Sequence, residues 1–440
     1  MVFRRFFSKD APKPEPAEPV LDESESPDEE VGEGEPEVEP PHPEWAVRAR
    51  GVLPTGASTG SKRPEALYGS ADAVGPTHFR QAAGCRVVDT DGNEYVDCTM
   101  ALGAVALGYS EPSVRNAVVG EIMAGPIAGL SSWREVELAE RLCGVIPCAD
   151  KVQFLKTGAE AMAAAVRIAR TYTARDVVVG SGYFGWLDWC SDDTLGVPAG
   201  TKAAFRRVPY DDIPALEAAV SAAGSQLAAI AIEPVVERLP SVEWITRARE
   251  LATANGAVLI FDEIKTGFRL ATGGYQEHAE IVPDLAAYGK AMSNGYALAA
   301  VGGHRDIMDA ARRTWISSTL ASEASSLAAA LTVLQWHSQA DICESLWSIG
   351  AEMRAIVTRS IEAAGIEGVT VDGLDPMWLI RFDDPARETR FLELAASHGA
   401  LFKRGAYNFA ALAHDDEALQ AIEAAASAAF VDLRDEDARQ

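Results

Sequence analysis

Three short stretches of this chain hold residues whose types could do chemistry together. The first, Leu155-Lys156-Thr157-Gly158-Ala159-Glu160-Ala161, reads as a strand, a glycine turn and the start of a helix. A helix N-terminus presents free backbone N–H groups, which makes it a ready phosphate site. No Gly-Lys-Ser/Thr follows, so this is not a nucleotide P-loop. The second is Asp262, just beyond the apolar run Val258-Leu259-Ile260-Phe261. A carboxylate at the end of a buried strand needs a partner. The third is Lys290, with Leu285-Ala286-Ala287-Tyr288-Gly289 in front of it and Ser293-Asn294-Gly295 close behind. Desolvation lowers a lysine pKa and turns the amine into a nucleophile toward carbonyls. Taken singly, each stretch has a plain structural reading: a strand-to-helix turn, a helix cap or ion pair, a surface lysine.

Taken together they fit one task. A phosphate site, an acid beside a ring nitrogen and an amine for a Schiff base are what pyridoxal 5′-phosphate (PLP) requires. An anionic Asp262 would keep the pyridine nitrogen protonated, and the protonated ring is the electron sink for chemistry at a substrate Cα. Tyr183, in Ser181-Gly182-Tyr183-Phe184-Gly185, follows an expected strand over 177–180. It is placed either to stack on the ring or to serve as a core or lid aromatic. Nothing in the spacing of the cysteines or histidines asks for a metal.

Such residues need a scaffold that gathers strand ends. From about 150 to 303 the hydrophobic pattern alternates between short apolar runs and amphipathic stretches. It predicts strands over 151–155, 177–180, 227–233 and 257–261, and helices over 160–172, 213–223 and 242–255. Strand, helix, strand at this spacing predicts an α/β fold with a mostly parallel central sheet covered on both faces. In such a sheet, ligands bind beyond the carboxyl ends of the strands. The residues around Asp91-Gly92-Asn93 predict a β-hairpin over 86–97. A helix is expected over 135–144, and 323–365 is strongly helical. The last 75 residues or so mix short strands and helices, as a small α+β domain would. The expected division is a tail over 1–44, an N-terminal part of a small domain over 45–105, a large domain over 106–335, and a C-terminal part over 336–440.

The formal net charge is −26, and residues 1–44 alone hold 14 Asp/Glu against 4 Lys/Arg. An acidic chain is repelled by phosphate backbones, which argues against a nucleic-acid partner. Residues 10–44 are rich in Pro, Glu, Asp and Ser and predict a disordered tail with no identified partner. The stretch Val2-Phe3-Arg4-Arg5-Phe6-Phe7 reads as a frayed end or a docking peptide. The arginines have no apolar run behind them, so no secretory signal is expected. No run of about 18 apolar residues predicts a membrane span. Six cysteines without a Cys-x-x-Cys pair predict reduced thiols and a cytoplasmic protein.

At this point the chain resembles a family. Phe261-Asp262-Glu263-Ile264-Lys265-Thr266-Gly267-Phe268-Arg269, then Gly273-Gly274 and Pro283-Asp284-Leu285, is similar to the signature of class III PLP aminotransferases. The nearest branch is that of glutamate-1-semialdehyde aminomutase. Asp89 to Asp97, Thr157-Gly158-Ala159-Glu160-Ala161, Ile232-Glu233-Pro234-Val235 and Ala413-His414-Asp415 fall in the family's order. The resemblance spans roughly residues 50–435. It implies PLP-dependent transferase fold type I and a homodimer with shared active sites. It also implies that a small-molecule amino donor and a carbonyl acceptor are the substrates. It casts Lys290 as the Schiff-base lysine, Asp262 as partner of the pyridine nitrogen and Tyr183 as the cover of the ring. Thr157, Gly158 and Ala159 would face the phosphate, Glu233 would stand near the cofactor, and Thr319 would reach the phosphate of the neighbouring subunit.

The departures cluster at the substrate end. Ala159 stands where the family has a hydroxyl, Phe184 where it has histidine, and Ser293-Asn294-Gly295-Tyr296-Ala297 where the aminomutase has Gly-Gly-Gly-Met-Pro. Residues 55–63, with Lys62 and Arg63, replace its N-terminal substrate loop. The expected activity is therefore transamination in specialised or envelope-sugar metabolism. The rival outcomes are aminomutase chemistry, which retains its intermediate, and a PLP-fold protein acting as a binding or scaffold component.

Overall fold

The computed structural model describes residues 45–70, 74–191 and 194–439. The segment 1–44 expected to be disordered lies outside the described residues. The central feature is a seven-stranded sheet. Its strands run in the order Lys151–Leu155, Ala299–Gly303, Leu285–Tyr288, Val258–Asp262, Leu227–Ile232, Val177–Ser181 and Phe205–Arg207. All are parallel except Ala299–Gly303, which is antiparallel to both neighbours. The reason is local. Leu285–Tyr288 and Ala299–Gly303 are joined by a single 3-10 turn, Lys290–Ser293, and a parallel return would need a crossover helix.

Alternate residues of the central strands enter opposite cores. Leu259 and Phe261 pack with Trp244 of helix Val242–Asn255 on one face. Val258 and Ile260 pack with Met162, Ala165 and Val166 of helix Gly158–Thr173 on the other. The strand Leu227–Ile232 is buried along its whole length, as a sheet covered on both sides requires. Asp284 pins one edge of this arrangement. Its carboxylate accepts the Leu259 N–H at 2.6 Å and pairs with Arg249 at 2.9 Å.

Segments far apart in the described chain, 79–97 and 400–401, share a smaller sheet. Arg86–Asp89 and Glu94–Asp97 form the expected hairpin, and Ala400–Leu401 adds alongside Glu94–Asp97 in parallel. Asp89 shapes the turn by accepting the N–H groups of Asp91 and Asn93, both at 2.9 Å. Val369–Leu374, Met377–Phe382 and Asn408–Phe409 form a further three-stranded sheet. His414 closes this region. Its Nδ1 accepts the Ala411 N–H, and its Nε2 lies 3.2 Å from the Asp97 carbonyl. Arg269, fully buried, ties the segments to the central sheet by donating to the carbonyls of Gly103, Pro376 and Ala410. All six cysteines are free thiols. No described helix is long and apolar enough to cross a membrane.

Candidate active site

The carboxyl ends of five central strands open onto one cleft of about 370 Å³. Lys151–Leu155 delivers Thr157, Gly158 and Ala159 to it, Val177–Ser181 delivers Tyr183, and Leu227–Ile232 delivers Glu233. Val258–Asp262 ends on Asp262 itself, and Leu285–Tyr288 runs through Gly289 into Lys290.

Thr157 caps the helix Gly158–Thr173 in a reciprocal box. Its Oγ1 accepts the Glu160 N–H at 3.2 Å, and the Glu160 carboxylate accepts the N–H groups of Thr157 at 2.9 Å and Lys156 at 3.1 Å. Those donors are satisfied. The amides of Gly158 and Ala159, in the first helical turn, have no partner among the described residues and open toward the cleft. Gly185 lets the 183–186 loop cross this helix start. Its φ is +95°, and a Cβ there would lie 2.5 Å from that of Ala159.

Asp262 and Glu263 divide their work. Glu263 turns into the core, where it accepts the N–H groups of Tyr275 at 2.8 Å and Gln276 at 2.9 Å. Asp262 faces the cleft, only 6% exposed, and accepts the Ile264 N–H at 3.1 Å. Burial, reinforced by the nearby Glu233 carboxylate, pushes its carboxyl up to about 8. Such an acid is short of positive charge, which a protonated ring nitrogen would supply.

Lys290 opens the turn after its strand with φ +48°, a strained conformation for a residue with a side chain. Asn294, just after this turn, anchors it to the 106–108 segment. Its side chain accepts the N–H groups of Ala106 and Leu107 and donates to the Gly108 carbonyl. Burial and the neighbouring Lys265 ammonium pull the Lys290 amine down to about 8. Near neutral pH the side chain therefore has an accessible uncharged form.

Tyr183 is 71% exposed on the cleft rim, its backbone N–H held by Glu233 Oε2 at 2.8 Å. Phe184 takes the core position instead, stacked on Trp189. Thr319 is not brought to this cleft within one chain; it sits exposed in the turn before helix Ala324–Gln339. Residues 55–63 do not line the cleft either.

Among the cleft residues that sequence reasoning did not assign to the site are Lys265, Lys156 and Trp186. Lys265 pairs with Glu233 at 2.5 Å, and its position three residues after Asp262 was the available signal. Lys156 pairs with Glu323 at 3.2 Å behind the phosphate turn. Trp186, 76% exposed, stands at the mouth. The free amides, the buried acid and the depressed amine together fit PLP: Gly158 and Ala159 for its phosphate, Asp262 for its ring nitrogen, Lys290 for its aldehyde.

The aminotransferase class-III family model matches residues 69–185 and 197–422. A 3-aminobutyryl-CoA aminotransferase from Cloacimonas acidaminovorans is 33% identical over 326 residues, covering 72% of this chain and 78% of that protein. A glutamate-1-semialdehyde 2,1-aminomutase from Polynucleobacter asymbioticus is 30% identical over 428 residues, covering 88% and 97%. Among solved structures, the PLP internal aldimine form of the FumI protein of Sphingopyxis sp. MTA144 superimposes with a TM-score of 0.84 at 27% identity, covering 90% of this chain and 96% of that one. The chain belongs to the class-III aminotransferase family and is a PLP-dependent enzyme.

Proposed function

We infer that Lys290 is the residue that anchors PLP and carries the proton of an amino-transfer reaction. The observation that supports this most directly is the meeting of Lys290, Asp262 and the open helix start at Gly158 in one cleft. When bound, PLP supplies an aldehyde that takes up amino groups and a cationic ring that draws electrons from the reacting carbon. The amides of Gly158 and Ala159 hold the phosphate, and Thr157 keeps that helix start rigid through its cap. Asp262 holds a proton on the ring nitrogen. Tyr183 covers the ring face. With a donor amine bound, Lys290 Nζ would be the group that accepts the donor's Cα proton and gives it back. An amine near pH 8 is matched to taking and giving a proton at neutral pH.

A small-molecule amino donor and a carbonyl acceptor are the substrates of this reading. A screen of amino donors, read as loss of the visible absorbance of bound PLP, tests it. A folded, PLP-loaded protein that answers to no amino compound would overturn it. The aminomutase relative favours a second outcome, transfer within one molecule. A single substrate given without an acceptor would then yield an isomer.

A homodimer with shared sites completes the reading. Ile122, Met123, Leu130, Trp133 and Val136 lie between 53% and 85% exposed within one short stretch of chain. An apolar patch of this kind is expected to be covered, and a second copy is the occupant that would also give the exposed Thr319 a cleft to serve.

A further inference from the structure

Three lysines line the cleft: Lys290 has been given a task, Lys156 is paired with Glu323, and Lys265 has no task yet. Lys265 Nζ lies 2.5 Å from Glu233 Oε1 and 4.4 Å above the ring of Tyr407, which comes from the C-terminal segment. The Lys265 side chain is only 15% exposed. Burial works against its charge, but Glu233 overrides burial and holds the ammonium protonated well past neutrality. The other oxygen of Glu233 accepts the Tyr183 N–H at 2.8 Å. That contact exists because Gly182, with φ +126°, has no Cβ to strike the Glu233 side chain. Tyr407 is itself fixed, its hydroxyl accepting the Glu237 N–H at 2.5 Å. The ammonium of Lys265 is thus a fixed charge, gripped from the sheet and from the C-terminal segment at once.

We propose that Lys265 is a positioning residue for the Lys290 amine: its pinned ammonium, on the wall of the same cleft, opposes a second positive charge there and so keeps an uncharged, nucleophilic form of Lys290 within reach. The charged groups facing Lys290 are Lys265 and Arg269, which oppose its protonation, and Asp262 and Glu233, which favour it. Lys265 is the largest of the opposing charges. Arg269 sits deeper, tied to three carbonyls. Lys156, also on the cleft wall, is occupied by Glu323 and Ser326. Glu233 has two effects of opposite kind: it fixes Lys265, and it adds a negative charge of its own. Removing one member of the pair therefore does not mimic removing the other.

The proposal rests on Lys290 being the amine that captures PLP, and the test separates the two ideas. PLP is mixed with the PLP-free full-length protein, and the appearance of visible absorbance is timed as a function of pH. Lys290→Ala should capture none; capture by that variant would sink the assignment of Lys290 itself. In the wild type the rate should rise with pH to a midpoint near 8. Lys265→Met leaves Glu233 uncompensated, so the midpoint should move up by about one pH unit or more, slowing capture near pH 7 about tenfold. Glu233→Gln leaves the ammonium unopposed and should move the midpoint down. Lys265→Arg should keep the wild-type profile. Midpoints that move in the same direction, or do not move, would overturn the proposal while leaving Lys290 in place. If Lys265→Met does not fold, Lys265→Gln, which removes the charge but can still donate to Glu233, should show the same upward shift, and an unmoved midpoint in that variant overturns the proposal.

Discussion

Replacing Asp262 with asparagine should stabilise the PLP-free protein while removing most of its catalysis. The carboxyl is nearly inaccessible and takes one backbone hydrogen bond, from Ile264. Burial and the Glu233 carboxylate raise it from 3.8 to about 8. Between about pH 4 and about pH 8 the folded chain holds a proton that the unfolded chain has released, so stability falls as pH rises across that window. At about 1.4 kcal/mol per pH unit, the loss by pH 7 reaches at most about 4 kcal/mol. Asparagine keeps the shape and can accept the same N–H, but carries no such penalty. The PLP-free variant should therefore melt several degrees above the wild type near neutrality, and the gap should close toward about pH 4. Bound PLP should reverse the order, because a ring cation favours the carboxylate and gives asparagine nothing in return. Turnover should fall by about a hundredfold or more, the scale of losing a charge aimed at the reacting system. Thermal melts of both proteins across this pH range, with and without PLP, read all of this. A PLP-free Asp262→Asn protein that melts below the wild type at neutral pH would refute the reasoning.

Other consequences can be checked more briefly. Lys290→Ala should bind PLP without the visible-edge absorbance of the covalently held cofactor; an unchanged spectrum would remove Lys290 from the site. Met100, Ala101 and Leu102 all have positive φ, from 42° to 61°. Ala101→Gly should relieve part of that strain and raise stability by about 1 kcal/mol in denaturant unfolding. If the proposed homodimer is covered by the exposed apolar stretch, Leu130→Glu should lower the molar mass seen by light scattering, with loss of activity; an unchanged mass would refute that contact.

The gathering of the candidate residues in one cleft was legible because each lies at the end of a short apolar run or a few residues beyond it. Asp262 ends such a run, Lys290 lies two residues past another, and Gly158 lies three past a third. In a parallel sheet those ends share one edge, so local pattern alone predicts that they meet. The strand-to-helix turn at 155–160 and the hairpin around Asp91-Gly92-Asn93 were legible for the same reason, since both are made by residues within a few positions of each other. The antiparallel strand Ala299–Gly303 was not, because its direction depends on a short connection and not on its composition.

The linear order of residues determined the strand and helix periods, the acid and amine at strand ends, and the glycines that let backbones cross. Only the tertiary structure decided which charges stand face to face. Lys265 finds Glu233 and Tyr407 across 32 and 142 positions of chain, and Arg269 finds its carbonyls at Gly103, Pro376 and Ala410. Met100, Ala101 and Leu102 include no glycine, yet all three have positive φ, and they are followed directly by the Gly103 carbonyl that Arg269 holds. The physical reason is the range of the forces. Hydrophobic period and backbone sterics act between near neighbours and leave a mark on the local sequence. Electrostatic coupling and strain act between whichever groups folding brings together, and so they belong to the assembled molecule.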